Sequence, residues 1–141
     1  MVISARIHYA SLAMLELALH QDDSAPLAIR EISDRHGVPG PFLVQILRAL
    51  RTAGWVQSVR GPQGGYRLAA GPATITLLDI AEAVGCSETA ARSETKSTAA
   101  AEMLQGYWDQ ASEASRAVLA SARLSDLVER CRHGDETMFY I

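Results

Sequence analysis

Gln45, Arg48 and Arg51 recur every third residue, and Arg60 and Arg67 bracket the run Gly61-Pro62-Gln63-Gly64-Gly65. Side chains of these types make hydrogen bonds and ion pairs rather than break covalent bonds. A glutamine can pair with adenine in a major groove, and Arg48 or Arg51 can reach a guanine edge or a phosphate. An arginine beside a thin Gly/Pro loop suits a minor groove, where narrow width concentrates negative potential. Each arginine taken singly reads about as well as a solvated surface charge; as a set they point to duplex DNA. Enzyme chemistry has no comparable support. Ser, His and Asp all occur, but no G-x-S-x-G elbow, H-E-x-x-H, P-loop or G-x-G-x-x-G accompanies them. Gly61 to Gly65 also lacks the following Lys-Ser/Thr and the helix that a phosphate loop needs.

The elements that must hold this set lie between Ile29 and Ala69. A first helical pattern puts Ile29, Ile32 and Val38 on one side and leaves Arg30, Glu31, Asp34 and Arg35 to solvent or phosphate, with Gly37 breaking the period at a tight turn. A second helix then starts at Pro39-Gly40-Pro41, with Gly40 as N-cap and Pro41 at the first helical position, where its missing N–H costs nothing. Phe42, Leu43, Ile46, Leu47 and Leu50 form its apolar face, Val44, Gln45, Arg48, Arg51 and Thr52 the other, and Gly54 ends it. Trp55 to Arg60 and Tyr66 to Leu68 have strand composition, so Gly61 to Gly65 becomes a hairpin tip able to lie close to another backbone. Two helices followed by a small hairpin make a winged helix-turn-helix.

Length and composition are compatible with that reading. At 141 residues, 48% hydrophobic and 21% charged, the chain suits one globular domain, or a small domain with a helical arm. Net charge is -3, but the halves differ: residues 1–70 hold seven Arg against five acids, residues 71–141 six bases against eleven acids. The positive excess therefore sits with the helix-turn-helix and hairpin, as an electrostatic footprint on DNA requires. No apolar run reaches the ~18 residues that span a bilayer, and His8 and Glu16 interrupt the stretch from Ile7 to Leu19, so the cytoplasm is expected. Two cysteines, Cys86 and Cys131, are too few for a disulfide scaffold and too isolated for a zinc site.

Around the central unit, Ile7 to His20 reads as a mostly buried helix capped by Ser4, and Gln21 to Pro26 as a turn. His8 and Tyr9 could touch a phosphate or a ligand, though a structural role has the greater weight, and His20 and His36 read as solvated. Thr76 caps a helix from Leu78 to Val84, with Leu78, Ala81 and Val84 inward, Asp79 and Glu82 outward, and Gly85 at its end. Residues 86–102 are rich in Ser, Thr, Ala and Glu and read as a linker. From Met103, Leu104, Trp108, Ala111, Ser115, Val118 and Ala122 follow heptad steps, a seam that packs on another helix or on its own domain. Leu124, Leu127 and Val128 suggest a last short helix, and the tail from Arg132 has no clear period. The expected division is 1–85, 86–102 and 103–141: a mainly α chain with a small β-wing and a long C-terminal helix.

VQSVRGPQGGYRLA, with PFLVQILRALRTAGWV before it and ITLLDIAEAV after it, resembles the Rrf-two (IscR/NsrR/CymR-type) family of bacterial winged-helix regulators. The likeness runs from ISARIHYASLAMLELAL to YWDQASEASRAVLASARLSDLV. It implies a homodimeric transcription factor, usually a repressor, on a partly palindromic site, with helices in major grooves and wings in minor grooves. The family's DNA-reading positions fall on Gly40, Pro41, Phe42, Val44 and Gln45 and on Arg60, Gly61, Pro62 and Gln63. Relatives often carry Ser, Tyr and Glu where this chain has Pro41, Phe42 and Val44, which implies a different operator. Cluster-binding members carry three cysteines at places that fall near Ala90, Lys96 and Glu102 here, none of which can supply a thiolate, so no iron-sulfur centre is expected. Two other readings remain: a winged-helix protein-interaction module that has lost DNA binding, and a redox protein built on Cys86, which lacks a nearby resolving cysteine.

Overall fold

Ser4 opens the first helix as its type suggests, its hydroxyl oxygen accepting the Ile7 N–H at 3.2 Å. The computed structural model describes residues 3–85 and 96–138, the last four as backbone alone. Its elements in order are α1 (Ala5–Leu19), α2 (Ile29–His36), α3 (Gly40–Thr52), β1 (Val56–Val59), β2 (Gly65–Leu68), α4 (Leu77–Ala83), α5 (Ala99–Ser121) and α6 (Leu124–Met138), with a short 3-10 turn at Pro72–Thr74 before α4. Gly37 takes the left-handed conformation at the α2–α3 turn (φ 67°), which glycine adopts at little cost. Ser33 donates to the Val38 carbonyl at 2.6 Å and closes the same turn. The expected cap of α3 moves by one residue: Pro39 is the N-cap, Gly40 and Pro41 the first two helical positions, where a missing N–H is still harmless.

One core is shared by the helices; α5 has no buried residue and meets it through half-buried Leu119. Met14 and Leu17 of α1, Ile32 of α2, Leu43 and Leu50 of α3, Ile80 of α4 and Leu124 of α6 are each at most 2% exposed. Leu43, Ile46, Leu47 and Leu50 bury as expected; Phe42 does not, and stays 40% exposed. On α4, Ile80 rather than Leu78 is buried with Ala81, as is Val84, which caps the helix instead of ending inside it. Asp79 faces back instead of outward: its carboxylate accepts the Thr76 N–H at 2.9 Å while Thr76 Oγ accepts the Asp79 N–H at 3.1 Å, a complete capping box.

The wing is a two-stranded antiparallel sheet with Val56 opposite Leu68 and Val59 opposite Gly65. Arg60 therefore belongs to the tip and Gly65 to the strand, each one place from expectation. Leu27 adds a bridge that the sequence does not reveal: its N–H donates to the Tyr66 carbonyl at 3.0 Å and its carbonyl accepts the Tyr66 N–H at 2.8 Å. A Cβ on Gly65 would overlap the Leu27 carbonyl oxygen, and one on Gly64 the Val59 carbonyl oxygen. The two glycines are the close approach to another backbone that the tip composition suggests.

The C-terminal helices also differ from expectation. Helix α5 begins at Ala99 and so takes up the last four residues of the segment read as linker, with Thr98 Oγ1 accepting the Ala101 N–H at 3.1 Å. Helix α6 continues to Met138 through residues read as an aperiodic tail. The corner between them is clamped on the entry to α4, where Leu77 N–H donates to the Ala122 carbonyl (3.0 Å) and Leu124 N–H to the Ile75 carbonyl (2.8 Å). Cys86 lies outside the described residues, as does Ala90; Cys131 is half-buried on α6.

Candidate nucleic-acid interface

Helix α3 is fixed from below by its buried leucines, which leaves Pro41, Gln45, Arg48 and Thr52 along the opposite row at steps of four and three, all exposed. Phe42 and Val44 flank that row, Phe42 exposed and Val44 half-buried like Gly40. Arg51 is exposed too and donates to Ser58 Oγ at 3.4 Å, tying the end of α3 to β1. Among the described residues the guanidinium of Arg48 has no hydrogen-bond or ion-pair partner; that of Arg60 has none either, so both charges are available to something else.

At the wing tip Arg60, Gly61, Pro62 and Gln63 are all exposed. Gly61 has φ 117°, and its carbonyl accepts the Gly64 N–H at 2.9 Å, which folds the tip into a four-residue turn. Arg67 does not bracket this tip. It pairs with Gln57 within the ladder, and its guanidinium donates to the carbonyls of Asp23, at 3.0 Å, and Ser24. Its work is to pin the wing to the α1–α2 loop, and Arg60 alone carries charge at the tip.

Behind this surface sits a polar cluster that the sequence reading misses. Glu16, 6% exposed, accepts from Arg35 Nη1 at 2.7 Å, while His36 Nε2 lies 3.0 Å from its other oxygen. His20 Nε2 is 3.4 Å from Glu16 and its Nδ1 is 2.8 Å from Asp23. His20 and His36 are therefore not merely solvated. A buried carboxylate needs donors, and these residues supply them while locking α2 to α1. The signal was available: a glutamate on the inward row of an apolar helix requires a cation from a neighbouring element. His8 is exposed, and Tyr9 packs edge-on against Phe42, ring centroids 5.8 Å apart at 90°.

On α5 the expected seam divides. Leu104, Trp108 and Val118 are 46%, 53% and 66% exposed, joined by Met103 and Tyr107 at 61% and 63%. Ala111 is exposed as well, whereas Ser115 is half-buried at the border where Leu119 turns to the core.

No helix among the described residues is long and apolar enough to cross a membrane. The family model for Rrf2, described as an iron-dependent transcriptional regulator, matches residues 3–130. The HTH-type transcriptional regulator IscR of Vibrio vulnificus is 42% identical over 96 residues, 68% of this chain and 56% of that protein. The chain thus spans little more than half the length of the first curated relatives it matches, 56% in each case. Among solved structures, IscR of T. potens superposes with TM-score 0.77 at 30% identity, covering 93% of this chain and 88% of that one. CymR (YrzC), the global cysteine regulator of B. subtilis, superposes with TM-score 0.76 at 29% identity over 92% of this chain and 97% of that one. With the helix-turn-helix, the wing and the long α5 in place, the chain belongs to the Rrf2 family, a family of transcriptional regulators rather than enzymes.

Proposed function

We propose that this protein is a homodimeric, sequence-specific DNA-binding repressor that works in the cytoplasm without an iron-sulfur cluster. The observation that carries DNA binding is the pair of exposed guanidinium groups with no partner among the described residues, Arg48 on the outward row of α3 and Arg60 at the wing tip, beside Gln45, Gln63 and the thin Gly61-Pro62 turn. Dimerisation is supported by the exposed aromatic and aliphatic stripe on α5, since monomers seldom leave such a stripe uncovered. A two-fold dimer reads a partly palindromic site. Repression is the mode the resemblance implies.

The test is binding to a duplex selected from a random pool, followed as salt rises. A protein that neutralises six to ten phosphates loses about 10³- to 10⁵-fold in affinity between roughly 50 and 200 mM salt. Binding that fails to weaken with salt would sink the DNA reading in favour of a protein-interaction module.

The residues present do not fit a cluster. At the places where cluster-binding relatives carry thiolates, Lys96 is exposed and Glu102 accepts a 3.0 Å hydrogen bond from Ser97, and the chain's two cysteines stand at 86 and 131. Purified protein supplied anaerobically with iron and sulfide is expected to stay colourless. A stoichiometric cluster absorbance that disappears on Cys86→Ala would contradict this.

A further inference from the structure

The first turns of α3 present an unusual set of side chains for a helix that reads base edges. Pro41 stands exposed on the outward row, Phe42 and Val44 flank it, and Gln45 is the first side chain able to hydrogen-bond. Phe42 is 40% exposed although its type would bury. Its ring is not loose: Tyr9 meets it edge-on at 5.8 Å and 90°, the geometry that aromatic pairs prefer. The exposed part of the ring is therefore held in one orientation from α1, which lowers the entropy lost when it makes a contact.

An apolar surface set against polar base edges strips them of water without replacing their hydrogen bonds. Each base pair in the major groove shows donors and acceptors, and the one apolar group displayed there is the C5-methyl of a pyrimidine, in ordinary DNA that of thymine. Resting on the DNA-binding reading above, we propose that Phe42, braced by Tyr9, is the specificity-determining contact for a pyrimidine C5-methyl group in each half-site. Gln45, one turn further on, is left to read a neighbouring base by hydrogen bonding. Thymine and 5-methylcytosine present the same methyl, and the experiment separates them.

The probe is a duplex enriched from a random pool by the wild-type protein, then resynthesised with uracil in place of each thymine in turn. Uracil removes the methyl and leaves every hydrogen-bonding group. At one position per half-site, affinity should fall about four-fold, and about fifteen-fold when both half-sites are changed, the loss of one buried methyl each. A second series replaces each cytosine by 5-methylcytosine: a gain there, without loss on uracil, assigns the methyl to methylated DNA. Phe42→Ala should bind more weakly and lose the discrimination between thymine and uracil, with its circular dichroism unchanged because Phe42 lies outside the buried core. Tyr9→Phe should keep the discrimination and Tyr9→Ala should reduce it, which a purely structural role for Tyr9 would not produce. Equal affinity across both substituted series, or discrimination that survives Phe42→Ala, overturns the proposal while leaving DNA binding intact. Failure to enrich any duplex overturns the DNA reading itself.

Discussion

Val118→Glu is expected to turn a dimer into monomers. Val118 is 66% exposed on a helix with no buried residue, so a glutamate there costs the single chain almost nothing. In a dimer the same position would lie within the stripe formed by Leu104, Trp108 and Ala111, and two carboxylates facing one another without cations would be buried unpaired. Light scattering should give about half the mass of the wild type, with an unchanged helical signal. Operator affinity should collapse as well. A linked second half-site acts at an effective concentration near millimolar, and its loss weakens binding by about 10²- to 10⁴-fold. A dimer of unchanged mass would place the interface elsewhere on the chain and leave the α5 stripe in need of another partner.

That stripe shows where sequence reading is strong and where it fails. Heptad spacing finds Leu104, Trp108 and Val118 because a helix repeats its faces whatever surrounds it. The same spacing does not show that Ser115 is half-buried while they are exposed, because Leu119 beside it packs on the core and the corner that follows is held by the clamp between Ala122 and Leu77, a contact between residues far apart in sequence. Local devices were legible for the same reason: Ser4, Thr76 and Gly37 act through hydrogen bonds or dihedrals a few residues away. Leu27 was not, because a one-residue bridge to Tyr66 has no periodicity to betray it. Arg67 illustrates the cost for the site. Its spacing from Arg60 suggests a matched pair around the tip, but the loop from Asp23 to Ser24 offers two carbonyls and takes its guanidinium inward. Phe42 departs in the other direction: its type argues for the core, yet it stays 40% exposed, with its ring set edge-on against Tyr9.

Because Arg67 is engaged, the wing's interaction with DNA should rest on Arg60. Arg60→Ala is expected to leave stability within about 0.5 kcal/mol, since the side chain is exposed and has no partner among the described residues. A charge-assisted hydrogen bond to phosphate contributes about 1.5 to 3 kcal/mol, so affinity should fall by roughly 10- to 100-fold per arm. If Arg60 neutralises about one phosphate, the slope of log affinity against log salt should become shallower by roughly 0.9 per monomer. A residue that also follows groove width should lose more on A/T-rich flanks, whose narrow minor groove holds the deeper negative potential. Arg67→Ala provides the contrast. It removes the guanidinium bonds to Asp23 and Ser24, leaving the Leu27–Tyr66 bridge and the charge at the tip in place, so thermal stability should drop while the salt slope on the same operator stays parallel to wild type. If Arg60→Ala instead gives parallel slopes and equal affinity on both flanks, the wing does not touch DNA, and α3 must then bind without it or the chain must dock on protein.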